Sequence, residues 1–134
     1  MVYMKKIKLH HFAYNIVPNS LELVLEFFEK LDCKLSYRKG KERWCLISQD
    51  NLLVEIQIIE VKDKPIKTEI KKNTHIAFLS DNPSESLKKI KIFADKKGIK
   101  FVQGSWSDKE YWFDLPDLFV NFTIEIMHTS IVEN

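Results

Sequence analysis

Short runs of alternating apolar and polar residues dominate this chain, and twice they are interrupted by an apolar stripe at helical spacing. Ile7 to Ile16 alternates as a strand, with His11, Ala13 and Asn15 on one face and His10, Phe12 and Tyr14 on the other. Pro18 to Ser20 stops it, and Ser20 is placed to cap a helix over Leu21 to Leu31, where Leu21, Val24, Leu25 and Phe28 form one stripe. Short strands then follow over Lys34 to Tyr37, Arg43 to Ser48 and Leu52 to Glu60. Turns at Lys39 to Glu42 and Gln49 to Asn51 separate them. In the last of these strands Glu55, Gln57 and Ile59 share a face, and Val54, Ile56 and Ile58 share the other.

The same order then restarts. Thr74 to Leu79 is a strand, Ser84 to Lys97 a helix with Leu87, Ile90 and Ala94 on its stripe, and Gly98 after Lys96 and Lys97 a helix stop. Strands follow over Ile99 to Gln103, Tyr111 to Asp114 and Phe119 to His128. Laying Asn73 to Leu79 over Leu9 to Asn15 puts His75 on His11, Ala77 on Ala13, Phe78 on Tyr14 and Ser84 on Ser20. The chain is therefore a β-α-β-β-β unit written twice. A bulky Phe12 and Tyr14 face suits the helix side, which turns His11 to the open side. His10 and His128 have the opposite parity and read as structural. The lysine-rich stretch from Val61 to Lys72 reads as a solvated connection, and Met1 to Lys6 as a frayed lead-in.

Composition narrows this picture without adding chemistry. The 134 residues suffice for one domain, 1–134, with module one at 7–60, the connection at 61–72 and module two at 73–128. The 21 basic and 19 acidic residues are interspersed, the net charge is +2, and only Arg38 and Arg43 offer a planar fork, so nothing points to nucleic acid. No apolar run is long enough for a membrane span and no signal-like start is present, which makes the cytoplasm the expected location. Cys33 and Cys45 lack metal-ligand spacing and read as reduced thiols.

Over residues 7 to 128 the chain resembles the vicinal oxygen chelate superfamily, which includes glyoxalase I, bleomycin-resistance proteins, fosfomycin-resistance enzymes, methylmalonyl-CoA epimerase and extradiol dioxygenases. The resemblance rests on Leu9 to Ala13, Leu53 to Ile56, Thr74 to Phe78 and Phe122 to Ile126, with Asp114 to Asp117 similar to the family's turn before the last strand. It implies an α+β fold in which two βαβββ modules form a cupped mixed sheet with helices on the outer face. It also implies a divalent metal ion (Ni, Zn, Mn, Co or Fe) held by His11, Glu55, His75 and Glu125, with Gln57 the alternative to Glu55 after a two-residue shift. The alternation agrees, since all four lie on faces turned from the helices, and two imidazoles with two carboxylates suit a six-coordinate ion that keeps waters.

By the same resemblance the chain is expected to be a glyoxalase-like lyase, isomerase or epimerase. Glu125, with Glu55 as its counterpart, would remove a proton next to a carbonyl, and the metal would stabilise the enediolate. Asn15 stands where the glutathione-binding arginine of glyoxalase I falls, so another thiol or a coenzyme-A ester remains open as substrate. Two alternatives stand beside this. One is a metal-free protein that binds an antibiotic or aromatic ligand at a dimer groove. The other is an Fe(II) extradiol dioxygenase using His11, His75 and Glu125. Trp44, Trp106, Tyr111 and Trp112 read as packing residues, with Tyr111 and Trp112 near the expected rim of the cup. The expected partners are a small molecule and a second copy of the chain.

Overall fold

The computed structural model describes residues 7–50 and 52–132. The lead-in over 1–6 and Asn51 of the second turn lie outside the described residues. Module one runs β1 (His11–Ile16), α1 (Leu21–Glu29), β2 (Lys34–Tyr37), β3 (Trp44–Ser48) and β4 (Glu55–Glu60). After α2 (Thr68–Lys71), module two runs β5 (His75–Ser80), α3 (Pro83–Lys97), β6 (Val102–Ser105), β7 (Glu110–Asp114) and β8 (Thr123–His128). Each module is one mixed four-stranded sheet, ordered β1-β4-β3-β2 and β5-β8-β7-β6. The helix in each makes the crossover that a parallel pair, β1 with β4 or β5 with β8, requires.

The two βαβββ modules are as the repeat implies, but within one chain the sheets stay separate; β1 and β5 are edge strands of their sheets, and the outer side of β1 is engaged at its C-terminal end. The modules join through one core instead. Phe27 of α1 packs on Phe93 of α3, on Phe113 of β7 and on Phe119, with ring centroids 5.5–6.5 Å apart. The segment before β8 adds a seam: Val17 N–H donates to Leu118 O, Val120 N–H to Asn15 O, and Asn15 N–H to the Asn121 side chain. This seam is why β8 begins at Thr123 and not at Phe119. Phe119 and Phe122 are buried, yet the backbone over 118–120 serves the end of β1 before the chain can join the β5–β8 ladder.

Other boundaries move for local reasons. β4 starts at Glu55 because its partner strand starts at His11; Leu52 and Leu53 have no ladder to join and stay exposed. Ser20 occupies the cap position of α1 but makes no side-chain cap. Its hydroxyl donates to Val17 O, and the N–H groups of Ser20 and Leu21 donate to the Glu60 carboxylate. α3 is capped by Asn82, which accepts from Glu85 N–H, with Pro83 in the first turn. Gly98 ends it at φ 66°, the left-handed conformation the stop signal requires.

Candidate functional site

Strand register decides which side chains share a face. In module two Ala77 is paired with Glu125, Glu125 with Trp112, and Trp112 with Gly104. Partners directly opposite point to the same side, as do residues two apart, so His75, Ala77, Trp112 and Glu125 line one face. On it His75 Nε2 stands 3.3 Å from Glu125 Oε2. His75 Nδ1 is 3.1 Å from Lys72 O, and a carbonyl only accepts, so Nδ1 carries the proton. The Nε2 lone pair then faces a carboxylate oxygen, and two acceptors at that distance need a proton or a cation between them. Two donors at right angles on a metal with bonds of about 2.1 Å would stand about 3 Å apart, so the pair fits adjacent positions of one divalent ion.

His75 is held by the backbone of the stretch expected to be a solvated connection; that expectation holds for Lys62, Asp63, Lys64, Ile66, Lys67, Glu69 and Ile70, which are exposed, and is corrected for Thr68, Lys71 and Lys72. α2 lies across the site face of module two. Lys71 is buried, and its ammonium donates to Asp114 Oδ2 at 2.9 Å and to Phe119 O at 2.7 Å. The Thr68 hydroxyl donates to the same carboxylate oxygen. Burial pushes the Asp114 carboxyl above its ordinary value, and the Thr68 and Lys71 donors offset only part of that. Asp114 Oδ1 and the Thr123 hydroxyl, buried beside this network, have no partner among the described residues.

Module one presents the equivalent face without such cover. His11 is exposed, and its Nδ1 lies 2.9 Å from Nδ1 of His10. The nearest imidazole to the Glu55 carboxylate is also His10, at 3.7 Å. His10 is thus exposed and turned toward Glu55 and His11, contrary to its expected place on the helix side: it precedes the first residue of β1, where strand alternation does not apply. The register also separates Glu55 from Glu125 as repeat equivalents. His11 is paired with Glu55 as His75 is with Thr123, and Ala13 is paired with Gln57 as Ala77 is with Glu125. With His11 laid on His75, Gln57 takes the place of Glu125.

Among the described residues, no three His, Cys, Asp or Glu side chains come together as a group able to hold a metal. His75 and Glu125 are gathered; His11 and Glu55 are not joined to them. A single chain therefore fits a divalent ion with one ligand pair and not with all four expected residues.

The aromatic residues divide. Trp112 is buried on the site face next to Glu125, whereas Tyr111 lies on the opposite face and donates its hydroxyl to Asp108 O. Trp106 is exposed, and Trp44 is half-buried against Tyr37. Lys72 Nζ sits 5.3 Å from the Trp106 ring and 5.4 Å from the Trp112 ring. Sequence reasoning missed Lys71, Lys72, Asp114 and Thr123. The available signal was an acid closing an otherwise apolar strand run, Tyr111 to Asp114, which needs a buried cation if that strand is internal. His128 is half-buried and accepts from Ser130 N–H. Burial pushes the Cys33 thiol up to about 12 and Cys45 to about 11, so neither is an active nucleophile.

No family profile and no curated protein sequence matches this chain. Solved structures do. A putative glyoxalase family protein from Bacillus anthracis aligns over 95% of this chain and 98% of its own at 18% identity, TM-score 0.58. The fosfomycin resistance protein FosX from Listeria monocytogenes, complexed with Mn(II) and sulfate, aligns over 93% of this chain and 91% of its own at 17% identity, TM-score 0.57. TnmS3, an antibiotic binding protein from Streptomyces sp. CB03234, aligns over 94% and 98% at 11% identity, TM-score 0.56. At these identities the likeness establishes the fold.

Proposed function

We propose that this chain, which has the glyoxalase/bleomycin resistance/dioxygenase fold, is a metal-dependent glyoxalase-like lyase, isomerase or epimerase. Its site would be completed by a second copy of the chain. The observation that carries the reading is the His75–Glu125 pair: an imidazole oriented by Lys72 O at Nδ1, with its Nε2 3.3 Å from a buried carboxylate. A second imidazole with an oxygen donor, His11 with Gln57 or Glu55, lies on the open face of module one. β1 and β5 are edge strands, and the His11–Ala13 part of β1 has no strand on its outer side among the described residues, so pairing it with β5 of another copy would set the two half-sites side by side.

A divalent ion at such a site would supply Lewis-acid stabilisation to negative charge developing on two neighbouring oxygens. The remaining work falls to the chain. Glu125 is held by β8 on the site face and is the base that takes a proton from the carbon next to a carbonyl. Returning it to the neighbouring carbon is isomerisation; delivery of a different proton to the original carbon from the other side, by the protonated carboxyl of a residue such as Glu55, is epimerisation. Lys72 O fixes His75 in one tautomer and one orientation. Trp112, buried beside Glu125, keeps water from one side of the base.

The test is elemental analysis of untagged protein after incubation with Mn, Ni, Zn or Fe(II). Parent, His75→Ala and Glu125→Ala would be prepared alike, then assayed with hemithioacetals and epimerisable acyl thioesters. Bound metal in the parent, absent from both variants, is expected. A parent that takes up no metal would sink the reading.

Binding without chemistry is the second reading. It is favoured by an apolar groove of about 450 Å³ between the modules, lined by Phe12, Leu52, Ile56, Ile76, Phe78 and Leu79 among others. TnmS3 shows that this fold occurs in an antibiotic binding protein. Saturable binding of an aromatic ligand by metal-free protein, with no turnover, would establish it.

A further inference from the structure

Beside the His75–Glu125 pair stands a cation that the reading above does not use. We propose that Lys72, Trp106 and Trp112 form the subsite for an anionic end of the substrate. The substrate would then be a small carboxylate or phosphonate with a flat or apolar body; as a statement about substrate, this rests on the proposed metal-dependent activity.

The subsite is built from below. Gly104 faces Trp112 across the β6–β7 ladder, and a Cβ at Gly104 would fall 2.5 Å from Trp112 Cζ2. Glycine there lets the indole lie close on the sheet. Lys72 lies over that indole, and Trp106, carried by the turn after β6, offers a second ring to the same ammonium. The backbone of Lys72 is fixed twice over. Lys71, the residue before it, is tied to buried Asp114, and its own carbonyl holds His75.

The charge at this place is paired only at the surface. Aromatic faces attract a cation but carry no net charge. The carboxylate partner of Lys72 among the described residues is Glu69, at 3.2 Å, whose side chain is 81% exposed. Such a surface pair is weak and readily exchanged. Lys72 itself keeps 22% of its side chain open, enough for its remaining donors to meet a ligand. Trp106 is 43% exposed and offers a free face for an apolar body. An anion seated on Lys72 would leave its uncharged end toward Glu125, the neighbour of Trp112 on the same face.

The experiment titrates phenylphosphonate, benzoate, inorganic phosphate and uncharged benzyl alcohol into the full-length protein, following tryptophan fluorescence. Two of its three tryptophans lie in the subsite. Each titration is run metal-free and Mn-loaded, with metal content measured on the same samples. Saturable quenching by an aryl anion is expected, phenylphosphonate and benzoate showing which class is preferred, with benzyl alcohol and inorganic phosphate far weaker. Lys72→Met should weaken aryl-anion binding about tenfold or more, the loss of one charge-assisted contact. Lys72→Arg should retain it, and thermal melting of both variants checks the fold. Equal binding by Lys72→Met and parent, or by benzyl alcohol and phenylphosphonate, would overturn the proposal. If metal loads normally but Lys72→Met has no effect, the subsite fails and the metal reading stands. If the Lys72 effect is present but no metal binds, the reverse holds.

Discussion

In module two a single turn of helix lies across the site face, and His75, Thr123 and Glu125 are drawn into a partly or wholly buried setting. On the corresponding face of module one, His11 is exposed and Gln57 half-buried, while Ala13 is exposed as its equivalent Ala77 is. The topology is the same in both, and so is the histidine at the start of the first strand. What differs is the segment that follows β4. After Glu60 the chain crosses to the other module, and one of its lysines, Lys71, becomes part of that module's interior. One face is thereby organised in advance and the other is left open, the asymmetry that the proposed pairing with a second copy would use.

Charge is handled in the same divided way. Module one keeps its ion cluster open to solvent on one side: Arg43 pairs with exposed Glu22 at 2.8 Å and with the largely buried Glu60 at 2.6 Å, and Arg38 joins Glu22. Module two buries the Lys71–Asp114 pair completely. Removing one partner of the buried pair gives the largest expected effect. Asp114→Ala strands an ammonium in the core and should cost roughly 3–5 kcal/mol, measured by denaturant unfolding. Lys71→Met should be similarly costly, and pairing it with Asp114→Leu should recover much of the loss. A small effect of the single changes would mean that α2 does not anchor module two.

Next in size is Gly104→Ala, which pushes a methyl group into Trp112. It should cost about 1–3 kcal/mol by overpacking and alter tryptophan fluorescence, while metal uptake survives. A sharper probe of the comparison is Gln57→Ala beside Glu55→Ala. If the register equivalence governs the ligand set, the change at Gln57 weakens metal binding more, read by competition with a chelator. The opposite order would restore Glu55 as the ligand.

The smallest effect is in the pH dependence of module one. Hydrogen bonds from Arg43 and then Arg38 hold the Glu22 carboxyl down at about 2. Burial works to raise Glu60, but Arg43 and the N–H groups at the start of α1 outweigh it and hold it low too. Both carboxyls are thus depressed in the folded state. Their stabilisation is present above the ordinary value of 4.5 and drains away as pH falls below it, for Glu22 toward about 2. Acid titration of stability should show a loss over that window that is smaller in Arg43→Met, and modest because Glu22 is largely exposed.

Much of this was legible in the chain itself. The repeat of His11 in His75 located both modules, and Gly98 located the end of α3. Alternation put His11, His75 and Glu125 on faces away from the helices. Alternation fixes parity, however, and a shift of two residues leaves parity unchanged. It therefore could not tell Glu55 from Gln57 as the equivalent of Glu125; only the pairing of β1 with β4 and β5 with β8 does that. The stretch before β5 misled for a different reason. Lysines in an apolar-poor run look solvated, and nothing local says that Lys71 will meet Asp114, 43 residues on in the chain. His10 misled because it precedes the strand whose period was applied to it.

The central claim is that the metal site is assembled from module one of one copy and module two of another. Its most direct test mixes two disabled chains, His11→Ala/Gln57→Ala/Glu55→Ala and His75→Ala/Glu125→Ala. Metal is measured in each alone and in the co-refolded pair. In the mixed dimer one site unites both intact half-sites and the other unites both disabled ones. The account predicts no tightly bound metal in either chain alone and one ion per mixed dimer. Mixed dimers that form but still bind none would contradict it.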